Sequence, residues 1–290
     1  MIYFTKKNRK SYVFRFLSTF MIFIFLSYSI IMPSYAQSII NLPVPGTMVM
    51  LSPAFTPVLL KGMTLYLDAP FKFDFIIDNG NTGLTQNELK AEAEKLVRYF
   101  LAAMTIPEDD LWVNLSPHEG DRIIPDGLSR TELGRDLLVQ DYLLKQLSAS
   151  LIYPEEELGA QFWEKIYAKA GELYGTTEIP VNTFNKIWIV PERATVYEHE
   201  QTVYVVDTHL KVLVDSDYQA MKMGKVESDT MEMGGDIFRK LILPEIEKEV
   251  NEGENFALLR QIYHSLILAQ WYKNTIKDSL MSRFFIDGGL

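Results

Sequence analysis

The sequence predicts an α+β fold: short strands near the start, a mainly antiparallel sheet with a long hairpin near 192–214, and about five helices packed on it. Three observations lead there. Strand-like patterns rich in apolar, β-branched and aromatic residues cluster at 64–77 and 186–214. Stretches with apolar residues three and four apart lie between and after them. The order of strands, helices, strands and helices lacks the long alternation of a Rossmann fold or a TIM barrel. With 290 residues, 48% apolar and 23% charged, the chain can bury a core. It contains no cysteine, which excludes disulfides, thiol chemistry, thiolate zinc sites, iron–sulfur clusters and a lipobox-type lipid anchor.

The elements follow in order. Lys6, Lys7, Arg9, Lys10 and Arg15 precede an uncharged run from Phe16 to Met32, which ends in Pro33-Ser34-Tyr35-Ala36. A basic start, an apolar helix and small residues at Ser34 and Ala36 make 1–36 a signal peptide, cleaved after Ala36 and sending the chain to the periplasm or the exterior. A retained anchor is the alternative, because a run of about 17 residues is near the lower limit for a span. Pro33 and the small-residue site favour cleavage by ending the run where a peptidase cuts. Cleavage removes five basic residues and no acidic one, moving the formal charge from −10 to −15. Such a surface repels phosphate backbones, so nucleic acid is not an expected partner. No later stretch approaches ~18 apolar residues without a charge, so no stable membrane insertion is expected after cleavage.

Residues 37–60 read as an extended Pro-rich segment, since Pro43, Pro45, Pro53 and Pro57 forbid helix, and residues 61–290 read as one α+β domain. Thr64–Leu67 and Phe71–Ile77 are short strands, the second with Phe71, Phe73, Phe75 and Ile77 on one face. Asp78-Asn79-Gly80-Asn81-Thr82-Gly83 begins like a calcium loop, but Gly80 and Thr82 fill ligand positions and Leu89 stands where a bidentate acid is needed. It reads as a turn. Thr85 and Glu88 form a capping box for helix Gln86–Met104, and Ser129 and Glu132 form a second for a helix running to about Leu151. Pro154 opens another, which Gly175 stops. Lys186–Val190, Ala194–His199 and Thr202–Val214 are strands, the last two joined by Glu200-Gln201 as a tight hairpin. Tyr204, Val206, Leu210, Val212 and Val214 are expected on the core face, with Asp207, His209 and Lys211 on a wet one. Met221–Gly235 reads as a polar loop. Helices Ile237–Val250, interrupted or kinked at Pro244, and Phe256–Lys277 complete the chain.

The search for chemistry yields candidates without a complete constellation. His118-Glu119 and His199-Glu200 lack the second histidine of a zincin, because Arg122 and Val203 stand four residues after each histidine. Phosphate loops, nucleophile elbows and dinucleotide fingerprints are absent. Glu198, His199, Asp207 and His209 offer ligand types, yet His199 at the hairpin tip and His209 down the strand stand roughly 23 Å apart at the strand rise. Met221, Met223, Met231 and Met233 offer thioethers suited to Cu(I), but no histidine or cysteine accompanies them. The most mixed segment is Trp112 to Arg122, where His118, Asp121 and Arg122 are the candidate catalytic residues. No cofactor and no metal are expected.

Leu42-Pro-Val-Pro-Gly-Thr-Met-Val, Phe73-Asp-Phe-Ile-Ile-Asp, Ile106-Pro-Glu-Asp-Asp-Leu-Trp-Val-Asn-Leu-Ser-Pro, Asp121-Arg-Ile-Ile-Pro and Leu258-Leu-Arg-Gln-Ile-Tyr-His-Ser-Leu-Ile-Leu-Ala resemble an uncharacterised family of exported proteins from uncultivated environmental bacteria. The resemblance covers most of the chain after residue 36 and implies no activity, ligand or catalytic residue. Members of that family extend past the point where this chain stops at Asp287-Gly-Gly-Leu290, which implies a shortened C-terminus. The expected function is an exported binding or structural module whose partner is a protein or another component of the envelope, leaning away from an enzyme. The alternative is a cell-envelope hydrolase with its site around the 112–122 loop.

Overall fold

Four antiparallel strands in the order β2-β1-β4-β3 form the sheet of the computed structural model: β1 (Leu59–Leu65), β2 (Phe73–Asp78), β3 (Ile187–His199) and β4 (Thr202–Val214). With them, among the described residues, stand the helices α1 (Gln86–Met104), α2 (Glu132–Ile152), α3 (Asp215–Lys222), α4 (Leu243–Glu252) and α5 (Ala257–Asp287). The fold is α+β. The structure describes residues 49–66, 72–106, 130–152, 187–223 and 238–287, and singly 69, 128, 164, 167, 168, 171, 172 and 175. No helix among them is long and apolar enough to cross a membrane.

Local chemistry sets most boundaries where the sequence places them. Thr85 accepts the Glu88 amide and Glu88 reaches back to the Thr85 amide, the reciprocal cap expected for α1. Asp78 accepts the Gly80 amide at 3.0 Å, turning the chain after β2, and Gly80 has φ 59 with its backbone pressed on Thr56. A side chain at Gly80 would put its Cβ 2.1 Å from the Thr56 carbonyl oxygen. Glu200 takes φ 54 at the tip of the β3–β4 hairpin, the left-handed turn that a two-residue connection needs. The amide of Gly175 donates to the Gly171 carbonyl at 3.1 Å, where a helix end is expected.

Other boundaries differ. Thr131 accepts the Gly134 amide at 3.1 Å and caps α2, whereas Glu132, expected in a capping box, pairs with Arg98 at 2.6 Å; Ser129 lies outside the described residues. Of the helix expected after Pro154, only Glu164, Tyr167, Ala168, Gly171 and Glu172 are described, and they are helical. Helix α3 occupies Asp215–Lys222, so the expected loop at Met221 begins two residues late. Asp215 and Asp217 in its first turn suit the positive end of a helix. The interruption expected near Pro244 is a π-helical turn, Phe238–Ile242, that hands over to α4 with the proline in the first turn, where its missing N–H leaves no hydrogen bond unmade.

The strands depart from strict alternation, and this decides the core. In β4, Thr195 pairs with Asp207 and Val196 with Val205, so Val206 is an extra residue bulged out of the ladder. Val203 and Val205 point into the core before the bulge, and Leu210 and Val212 after it. The expected assignment of Tyr204 and Val206 to the core face is therefore wrong: they are 39% and 56% exposed. One inserted residue reverses the side on which each later residue falls. In β1, Lys61 is skipped between Leu60 and Gly62, which lets Leu60, Met63 and Leu65 all reach one core.

That core collects Leu96, Tyr99 and Phe100 of α1 and Leu133, Leu137, Leu144 and Leu147 of α2. From α5 come Leu259, Ile262, Tyr263 and Leu266, the helical stripe read from sequence. Phe73, Phe75, Phe100 and Tyr272 meet in tilted and edge-to-face pairs with centroids 5.0 to 6.0 Å apart. The sheet's second face is not uniformly wet. Trp188 and Val190 of β3 are buried there with Leu213 and Tyr218, because α3 folds back over them. Trp188 stacks on Tyr218 at 3.8 Å, and its indole N–H donates to Asp215 at 2.8 Å.

Residues 49–58, free of helix as their prolines require, are tied to the C-terminal half. Ser52 bonds Glu249 through both its amide and its hydroxyl, and Phe55 donates to the Glu252 carbonyl at 2.8 Å. Gln261 donates to the Val58 carbonyl at 2.9 Å.

Candidate functional site

His118, Asp121 and Arg122, with Trp112, Met231 and Met233, lie outside the described residues. Met221 and Met223 are exposed. The structure separates the sequence-predicted cluster on the hairpin into single partnerships. Glu198 accepts the indole N–H of Trp271 at 2.8 Å, His199 pairs in register with Thr202 at the tip, and Asp207 binds Arg193 at 2.8 Å. His209 turns away from them towards Glu192 and Glu247. Among the described residues, no three His, Asp or Glu side chains gather as a metal site.

Two polar constellations that sequence reading missed lie between helices. In the first, α1, α2 and α5 meet. The Tyr99 hydroxyl donates to Asp136, Arg98 pairs with Glu132, and Lys95 sits 2.5 Å from Glu92, which accepts the Gln261 amide at 2.8 Å. Burial pushes the Asp136 carboxyl up, while the Tyr99 hydrogen bond and Lys95 pull it down. Burial, and then the Asp136 charge, push the Tyr99 phenol far above its ordinary value, so it is a proton donor here and neither a base nor a nucleophile. Each group is held by another group of the seam, which is the arrangement of a brace.

In the second, Arg260 of α5 donates to the carbonyls of Val250, Gly253 and Phe55 at 3.0, 2.8 and 2.7 Å. Beside it Glu249 accepts from Ser52 and from Asn255. Burial brings the Arg260 guanidinium down to about 10 against the pull of Glu249 and Glu252. This knot satisfies the carbonyls left open at the end of α4 and binds the N-terminal segment to it.

The remaining feature is a surface. Tyr197 and Tyr204 stand directly opposite each other on the hairpin and are 58% and 39% exposed, with Val206 beside them. Arg193 and Thr195 share their face by strand alternation, and the Arg193–Asp207 ion pair borders it. Counting back from a turn at Glu200-Gln201 pairs 197 with 204, so this juxtaposition was legible in the sequence. That the pair faces outward was not, because the bulge decides it.

No protein-family model, no curated protein and no solved structure matches this chain.

Proposed function

We propose that the chain is an exported module that binds or braces a protein or another component of the cell envelope, with the outer face of the β3–β4 hairpin as its contact surface. One observation carries this reading: two tyrosines paired across strands and open to solvent, next to an exposed valine, on a hairpin with twelve paired positions. Tyrosine offers large apolar area at low entropic cost together with a hydroxyl for a polar partner, which is why it concentrates at interfaces. The basic, apolar and small-residue succession of residues 1–36 supports export. Mutual pairing within the two interhelical constellations supports a structural role for them rather than a catalytic one.

The test is sedimentation of the secreted protein with isolated envelopes. The wild type should co-sediment, and Tyr197→Ala/Tyr204→Ala should remain in the supernatant while keeping its melting temperature. Equal partition of both proteins would refute the surface assignment.

A further inference from the structure

Strand β4 leaves its neighbour early. It pairs with β1 only over Thr202 to Tyr204, and beyond that helix α4 seals the open edge. Asn251 accepts the Leu210 amide and donates to the Leu210 carbonyl, at 2.9 and 2.8 Å, and Glu247 accepts the Val212 amide at 2.9 Å. An edge closed by two side chains rather than a strand is a joint that can open locally.

His209 directly precedes these two attachments on β4. Its Nδ1 stands 2.8 Å from Glu192 Oε2, off the line of a hydrogen bond, and its Nε2 stands 3.5 Å from Glu247 Oε1. Glu192 is the residue that β3 leaves out of its ladder, and its other oxygen lies 3.4 Å from Lys211 Nζ. Arg193 is the register partner of His209, but Asp207 neutralises it. From α5, Tyr263 donates to the Arg193 carbonyl, and His264 meets Thr208 at 3.5 Å. The charges that remain at the ring are therefore two carboxylates, Glu192 and Glu247, against one ammonium, Lys211. The set balances only when the imidazole carries its second proton.

We propose that His209 is a proton-operated latch that holds the hairpin against α4. Protonated, the ring sets a positive charge beside both carboxylates, joining the Glu192 bulge to α4 across β4. Neutral, it carries no charge to hold either one, so the edge is left to Glu247 and Asn251 alone. The groups are half-exposed, so the latch changes local opening of the joint and leaves global folding nearly untouched. The proposal holds whatever the hairpin binds.

Amide hydrogen exchange on the full chain at low salt tests it, with rates corrected for the intrinsic pH dependence of exchange. Protection of the Leu210 and Val212 amides should be roughly two- to fivefold higher at pH 5.5 than at pH 8, and 0.5 M salt should abolish the difference. His209→Gln should lose the pH dependence. Glu192→Gln, which leaves both edge hydrogen bonds in place, should reduce it. His264, brought down to about 4 by burial, stays neutral in the folded chain across this range, and any opening that exposes it would lower protection at pH 5.5, opposite to the latch. The same pH dependence in His209→Gln, a flat profile in the wild type, or greater protection at pH 8 would each overturn the proposal.

Discussion

The bulge at Val206 decides which residues of β4 enter the core, and two neighbouring valines report on it. Val205 is fully buried and Val206 is 56% exposed, although strict alternation from Leu210 and Val212 would bury Val206 and expose Val205. Val205→Ala removes two methyl groups from the core. Their transfer is worth about 1.5 kcal/mol, and the cavity left behind brings the loss to about 2–3 kcal/mol. Val206→Ala removes the same two groups from a surface site and should change stability by no more than about 0.5 kcal/mol. Deleting Val206 tests the same register. It would take out only the extra residue, bring the Val196–Val205 and Thr195–Asp207 pairs next to each other and leave Val203, Val205, Leu210 and Val212 on the core face, so the loss should stay below about 2 kcal/mol. Urea unfolding followed by tryptophan fluorescence reads all three, and the m-value should stay constant for the two alanine variants. Equal losses for Val205→Ala and Val206→Ala, or a deletion that unfolds the protein, would refute the assigned register.

Four further outcomes are expected. His264 is brought down by burial to about 4, with Lys61 acting in the same direction and the Leu60 carbonyl and Asp78 opposing. Below its ordinary value near 6.5 the unfolded chain takes up this proton first. The contribution is therefore full above about pH 6.5 and falls by about 3 kcal/mol as pH drops to 4, a loss in urea midpoint that His264→Gln should lack. Arg260→Ala strips the carbonyls of Val250, Gly253 and Phe55 of their donor and should lower stability by about 2–4 kcal/mol, read as faster hydrogen exchange in α4. Thr85→Ala should cost about 1 kcal/mol through the α1 cap, and thermal melts that leave the variant unchanged would show that the cap is dispensable. Mass spectrometry of the secreted protein should find Gln37 at its N-terminus; recovery of intact residues 1–36 in membranes would replace export with anchoring.

Much of the fold was legible because local chemistry dictates it. The Thr85/Glu88 box starts α1, Glu200-Gln201 turns the hairpin, the prolines of 49–58 exclude helix, and the apolar stripe of α5 recurs at helical spacing, each within a few residues of chain. Antiparallel pairing followed from the hairpin. The candidate site was less legible. His118, Asp121 and Arg122 lie outside the described residues, and Asp207 and His209, two residues apart, ended with different partners. Alternation cannot reveal a bulge, because an extra residue changes the facing of everything after it while leaving composition and β propensity untouched. Nor does local pattern say which distant group answers a buried charge. Arg260 meets Phe55, Tyr99 meets Asp136 and Trp188 finds Asp215 only after the sheet and helices have packed. The sequence by itself determined where the chain turns, caps and alternates, since those choices are made over spans of two to four residues. Tertiary structure alone decided which face of the hairpin is open and which polar groups pair, since these depend on the removal of surface from water between segments far apart in the chain.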